Sequence, residues 1–267
     1  MPELAEVAFA CSLWNAGLNQ RIKVVYTHPT SRVYRDENRP FIHEHIVGKT
    51  LKGSETHGKQ MLFSFSGNCW LGLHLGMTGW LYVEEKNYTP LKHDALVLFQ
   101  AKQALVFRDP RQFGRIRIEN GKQPPDWWTD RPVSMLCPAF SFEILSHALE
   151  RHPKRPLKAL LLDQRYFPGM GNWMADEVLW RANLHPDCRS PMVAKKEQKK
   201  LFLQILFVVQ GAVKSVGTKG GDPPAKWLFH QRWKDGGTCP KSGAPLIREE
   251  IGGRTSCWSP TLQKLRK

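Results

Sequence analysis

The chain has 267 residues and carries 39 Lys and Arg against 24 Asp and Glu, a formal net charge of +15. That length supports a buried core and suits two domains, while the charge suggests a polyanionic partner, since each neutralised phosphate releases counterions and adds sequence-independent affinity; a basic enzyme or a ribosome-associated protein would carry the same excess, and charge alone does not choose between them. The apolar runs fall short of a bilayer span, the amino terminus lacks the basic-then-apolar order of a signal peptide, and the six cysteines are scattered without a CxxC pair, so a membrane protein and a disulfide scaffold are set aside for a reducing intracellular compartment.

Leu4, Val7, Ala8, Cys11 and Trp14 recur at helical spacing, so a helix is expected to about Asn15, ended by Gly17. Pro2 and the acids Glu3 and Glu6 are favourable helix-opening residues. The same residues offer chemistry. Removal of Met1 would expose Pro2 as a secondary amine. An α-amino group titrates near about 8 against about 10 for lysine, so far more of it is neutral and nucleophilic at pH 7. Glu3, next in the chain, can give or take the proton.

Apolar runs over 22–26, 61–65, 71–75, 96–99, 105–107 and 116–118, some separated by breaks such as Ser66-Gly67-Asn68, predict an antiparallel β-sandwich or barrel. Three of its loops carry candidate residues. Lys59 follows His57-Gly58 just before a strand, and Met77 sits between two glycines in His74-Leu75-Gly76-Met77-Thr78-Gly79. Asp109-Pro110 starts a turn that Gly114 closes, which leaves Arg111 and Phe113 at a loop tip. Exposed apolar side chains of this kind can fill the hole left in a base stack by an extruded nucleotide, and an arginine can bond the orphaned base.

From Gly121 to Pro132 the composition turns to Pro and Trp, as expected of a connection. Helices are expected over about 141–151, 154–164, 172–182 and 191–215, with Ser190-Pro191 as N-cap and N1 of the last. Phe167-Pro168-Gly169-Met170-Gly171 breaks the pattern and opens a helix at Asn172, whose free backbone N–H groups suit a phosphate. Residues 245–251, Gly252-Gly253 and 254–259 form a β-hairpin with a glycine turn, and Arg254 stands just past the tip.

The stretch from Lys158 to Pro186 is more specific than its turn. Leu161-Leu162-Asp163-Gln164, Gly169-Met170-Gly171-Asn172, Ala175-Asp176-Glu177 and His185-Pro186 resemble the helix-two-turn-helix of the DNA glycosylase/AP lyase family that includes formamidopyrimidine-DNA glycosylase and endonuclease VIII. Pro2-Glu3-Leu4-x-Glu6-Val7 looks like that family's amino-terminal signature, with Ala5 at the usual second proline, and the Asp109 to Gly114 turn resembles its DPxxFG loop, with Gln112 replacing a basic residue. The resemblance spans the chain. It implies an α+β protein with a catalytic β-sandwich domain at 1–122, a linker at 123–135, a helix-two-turn-helix domain at 136–235 and a finger hairpin at 236–267.

By the same resemblance Pro2 is the nucleophile, Glu3 the acid/base partner, and Lys59 binds the phosphate near the lesion and assists cleavage. His74, Lys158, Asn172 and Arg254 hold DNA phosphates, and Met77, Arg111 and Phe113 intercalate. The family commonly places four zinc cysteines around the hairpin. Here only Cys239 aligns with a ligand position, and Ser242, Ser259 and Leu262 occupy the others, so a zincless finger and no metal or cofactor are expected. The implied partner is double-stranded DNA with a damaged base or an abasic site, bound by a monomer. Gly217 to Pro224 looks shorter than the region that covers the base in members holding 8-oxoguanine, so the resemblance does not select the base. Rival readings are a monofunctional glycosylase for a deaminated base such as uracil, a damage-binding paralogue without catalysis, and a ribosome-type helix-two-turn-helix protein. Retention of Pro2, Glu3 and Lys59 together favours the bifunctional enzyme over both non-catalytic readings.

Overall fold

The computed structural model describes residues 1–35 and 39–265. They fall into two compact units, one of Met1–Pro2 with Glu6–Arg131 and one of Glu3–Ala5 with Pro132 onward.

The first unit contains most of α1 (Leu4–Leu13), then β1 (Val24–Thr27), α2 (Arg39–Ile46), β2 (Leu51–His57), β3 (Gln60–Phe65), β4 (Cys69–His74), β5 (Trp80–Glu85), β6 (Asp94–Phe99), β7 (Gln103–Arg108), β8 (Arg115–Asn120) and the short α3 (Asp126–Thr129). Two antiparallel sheets, ordered β1-β6-β7-β5 and β2-β3-β4-β8, make a sandwich. Met61, Phe63, Leu71 and Leu73 from one sheet and Leu81, Leu96, Leu98, Leu105 and Phe107 from the other share one buried core with Val7, Cys11 and Trp14. Each sheet thus hides one apolar face against the other.

The strands β2 and β5 and the helices α2 and α3 had no expectation attached. The edge strand β2 reads LKGSETH and buries only Leu51 at its start, and the edge strand β5 buries only Leu81. Alternation is visible where one face is apolar, and edge strands with a single inward anchor do not show it. Helix α2 buries Ile42 and Ile46, one turn apart, beneath an otherwise polar sequence. The Trp-rich stretch is packed onto the sandwich. The Trp127 ring covers Gly72 so closely that a Cβ there would collide with it, its Nε1 donates to Glu119 at 2.6 Å, and Trp128 is buried.

The second unit contains α4 (Phe142–Arg151), α5 (Leu157–Leu161), α6 (Asn172–Ala182), α7 (Lys195–Ala212, continued by a π-helical turn to Gly217) and the hairpin β9 (Ile247–Ile251) with β10 (Arg254–Trp258). Leu4 and Ala5 join its core with Leu145, Leu160, Met174, Val178, Ile205 and Val208. Two expectations shift. Helix α5 is shorter than 154–164, and beyond it Asp163 turns the chain by bonding Arg155 and Arg165. Ser190-Pro191 opens a separate 3₁₀ turn, and α7 instead begins at Lys195, where Glu197 reaches back to the Ala194 N–H at 3.0 Å. The stretch Lys195–Gly217 is long and apolar enough to cross a membrane by length and composition, which the sequence reading did not find. Its Leu201, Ile205, Val208, Val209 and Ala212 are spent in the protein core.

Candidate active site and nucleic-acid interface

The amino-terminal site is built on the start of α6. Gly171 is the N-cap residue and has no side chain to offer. Glu3 supplies the cap from a distant part of the sequence: Oε1 accepts from Trp173 N at 2.8 Å and Oε2 from Met174 N at 3.1 Å. These are the N2 and N3 donors that helices normally satisfy locally, and the helix dipole favours a negative group at that end. Gly171 is required here, because a Cβ at that position would run into the Glu3 carboxylate. Gln164 shapes the turn, accepting from Gly169 N at 2.9 Å and donating to the carbonyls of Leu162 and Met170 at 2.8 and 2.9 Å. The expectation of helix N–H groups open to a phosphate is therefore corrected. Two of them hold Glu3, the residue that follows Pro2.

Lys158 also requires correction. It is wholly buried, and its Nζ donates to Asp176 Oδ1 at 2.5 Å and to the Asn172 carbonyl at 2.7 Å, so it does not reach a phosphate directly. Burial pushes the ammonium's pKa down, and the Asp176 charge opposes that shift. Asp176 Oδ2 accepts in addition from Arg232 Nη2 at 2.6 Å and from the β10 amide of Cys257 at 3.1 Å. Helix α5, helix α6, the 232 loop and the hairpin thus meet on one buried carboxylate. Asn172 donates its Nδ2 to the Thr255 carbonyl at 2.9 Å, while its Oδ1 is buried without a partner. Gly252 and Gly253 have φ of +61° and +76°, as a tight hairpin turn needs, and Arg254 beyond them is exposed.

Below the hairpin, the positions that the resemblance assigns to zinc hold a thiol, two hydroxyls and a leucine. Thr261 Oγ1 lies 3.2 Å from Ser242 Oγ and 2.9 Å from Ser259 Oγ, and Trp180 Nε1 donates to Cys239 Sγ at 3.3 Å. Leu262 packs against the cluster of Trp180, Leu228, Cys239, Leu246 and Cys257. This donor set does not fit zinc, and among the described residues no group of three or more His, Cys, Asp and Glu is placed to hold a metal. Burial raises the Cys239 thiol, but hydrogen bonds from Ser242, Trp180, the Lys241 amide and Ser259 outweigh it and bring the pKa down to about 7.

In the first unit, Gly58 has φ +58° and forms with Lys59 the two-residue turn between β2 and β3. The next residue, Gln60, pairs with His74, which on its other side pairs with Arg115. Burial, then the charges of Lys59, Arg35, Arg115 and Arg117, push the His74 imidazole down to about 4. Its Nδ1 accepts from the Gly76 N–H at 3.1 Å, so the neutral ring carries its proton on Nε2. His74 is a neutral donor within a cluster of cations.

Met77 and Phe113 are 37% and 49% exposed, and the Arg111 guanidinium lies 4.9 Å over the Phe113 ring. The structure brings these three together and sets Lys59 beside His74. In the second unit it gathers Glu3, Lys158 and Asn172 around the start of α6, with Asn172 bonded to the strand that carries Arg254. Roles for Asp176, Arg232, Thr78 and Asp109 escaped the sequence reading. Buried carboxylates inside helical or turn patterns give no periodic signal, although Asp109 stands in the quoted loop.

An antiparallel sandwich with a basic sheet end, together with a helix-two-turn-helix unit that carries an arginine-tipped hairpin, defines the class of helix-two-turn-helix proteins with an amino-terminal sandwich. Residues 1–116 match the model of the formamidopyrimidine-DNA glycosylase N-terminal domain and residues 133–221 that of its H2TH domain. The chain is 32% identical to formamidopyrimidine-DNA glycosylase of Roseiflexus sp. over 99% of this chain and 100% of that one, and 32% identical to the Thermus thermophilus enzyme over 98% of each. Its fold is similar to Lactococcus lactis formamidopyrimidine-DNA glycosylase noncovalently bound to DNA containing an AP site, with a TM-score of 0.87 at 24% identity, covering 98% of this chain and 100% of that one. The chain belongs to the formamidopyrimidine-DNA glycosylase family.

Proposed function

We propose that this protein excises a damaged base from double-stranded DNA and cleaves the resulting abasic strand by β- or β,δ-elimination. The observation that carries the mechanism is Glu3, a buried carboxylate fixed by two backbone N–H groups at the residue following Pro2. Once Met1 is removed, the Pro2 lone pair forms a bond to C1′. The glycosidic bond pair departs with the base, which takes up a proton, and the sugar ring opens to leave an iminium. The iminium acidifies C2′, loss of that proton expels the 3′-phosphate, and water then hydrolyses the iminium to restore Pro2. Glu3 moves the protons and Lys59 assists at the phosphate.

His74, Asn172 and Arg254 hold the sugar-phosphate chain, Lys158 acts through the Asn172 backbone, and Met77, Arg111 and Phe113 occupy the space of the extruded nucleotide. The finger hairpin works without a metal. The protein acts as a monomer in a reducing compartment that holds DNA, in keeping with six free thiols.

Borohydride reduction on an abasic-site duplex tests the reading. A covalent adduct mapping to a peptide that begins at Pro2 is expected. Base release without an adduct or a nick would assign a monofunctional glycosylase, and binding without either would assign a damage binder. A panel of duplexes with oxidised purines, oxidised pyrimidines and uracil identifies the base.

A further inference from the structure

We infer that Thr78, Asp109 and Gln112 are positioning residues that hold Met77, Arg111 and Phe113 as one preformed wedge, so that insertion costs little ordering of the loops. The inference rests on the intercalating role proposed above. It starts from Asp109, which is 1% exposed although it lies in a surface turn. One carboxylate oxygen accepts from Thr78 Oγ1 at 2.9 Å, in the loop of Met77, and the other from Gly114 N at 2.6 Å, at the end of its own loop. The Thr78 hydroxyl also accepts from the Arg111 N–H at 3.3 Å. A single hydroxyl and a single carboxylate therefore connect the backbone on both sides of Phe113 with the residue after Met77.

The remaining contacts close the arrangement. Gln112 sits at φ +56°, a conformation that costs a non-glycine residue energy and persists only where its surroundings enforce it. Its Oε1 accepts from the Arg32 N–H at 3.0 Å, so the position uses its side chain to anchor the loop instead of facing DNA with a charge. Arg35 Nη2 donates to the Gly114 carbonyl at 2.9 Å. Gly76 packs against the Phe113 carbonyl carbon and the Gly114 nitrogen so tightly that a Cβ would overlap them. Loops that are ordered before binding do not spend binding free energy on ordering.

The test uses duplexes with an uncleavable tetrahydrofuran abasic analogue and 2-aminopurine opposite it, whose fluorescence reports displacement from the stack. Borohydride trapping is followed in parallel on a duplex and on a single-stranded abasic oligonucleotide, which has no stack to fill. Thr78→Val keeps shape and removes the hydroxyl. It is expected to weaken the fluorescence response and slow duplex trapping about tenfold, the scale of one lost hydrogen bond to a carboxylate, with single-strand trapping unchanged. Thr78→Ser is expected to restore the duplex values, and Gln112→Ala to reproduce part of the loss with an unchanged melting temperature. Equal losses on duplex and single strand, or no loss in the fluorescence response, overturn the inference. If no protein traps DNA while the fluorescence pattern holds, the Pro2 mechanism fails and the wedge assignment stands.

Discussion

At the scale of single residues, two groups gain their properties from what the backbone presents to them. Glu3 faces two N–H donors with two oxygens, the arrangement of an ionised carboxylate, and it both caps α6 and stands beside the proposed nucleophile. Glu3→Gln puts an amide NH₂ against one of those donors. Single-turnover base release is expected to fall by about 10²-fold or more, and the melting curve to register a loss of about 1 kcal/mol for the damaged cap. A variant with native excision rates would remove Glu3 from the chemistry. His74 illustrates the opposite sign of charge. An unfolded histidine titrates near about 6.5, whereas this one is held down to about 4 by burial and its cationic neighbours. As pH falls below the unfolded value, the unfolded chain takes up the proton first, so stability is lost between those two values. His74→Gln, which does not titrate, should therefore lose less stability than the native protein between pH 6.5 and pH 4 in thermal melts.

At the scale of elements, the hairpin is held from beneath by charge and hydroxyl groups. Asp176 is the common acceptor for Lys158, Arg232 and the Cys257 amide. Asp176→Asn leaves two buried cations without their counter-charge, which is expected to cost about 3–5 kcal/mol, with proteolysis reporting release of residues 236–265. The Cys239, Ser242, Ser259, Thr261 group is unsuited to zinc, so a strong chelator should leave both the melting temperature and DNA affinity unchanged, and a drop in either would reveal a metal. Much of this was legible beforehand. The helix at 172–182, the apolar inner strands and the Gly-Gly hairpin carry strong local patterns, and all appear at or near the expected places. What local pattern does not encode is partnership over long sequence separation. The resemblance assigns Lys158 to a DNA phosphate, and nothing near it in sequence announces Asp176 eighteen residues on; the helix N–H groups looked free because their acceptor, Glu3, is 170 residues away.

At the scale of the whole molecule, the charge of +15 suits a polyanionic partner, and the share of it that meets phosphate sets how affinity responds to salt. Only cationic contacts release counterions, so the proposed phosphate ligands divide into two kinds. Arg254 and Lys59 are charged groups, and removing either should weaken binding and also reduce the slope of log K against log salt by about 1. Asn172 is uncharged, and His74 is kept neutral by burial and by the cations packed around it. Loss of either side chain should weaken binding by a similar factor at every salt concentration and leave the slope as it was. Lys158 belongs with the neutral pair despite its charge, since its ammonium is already matched to Asp176 and cannot displace an ion from DNA. Titrations of an abasic-site duplex from low to moderate salt separate the two kinds. A shallower slope for the His74 variant would mean that the imidazole takes up a proton on binding, whereas an unchanged slope for Arg254→Ala would mean that the hairpin tip stays in solvent.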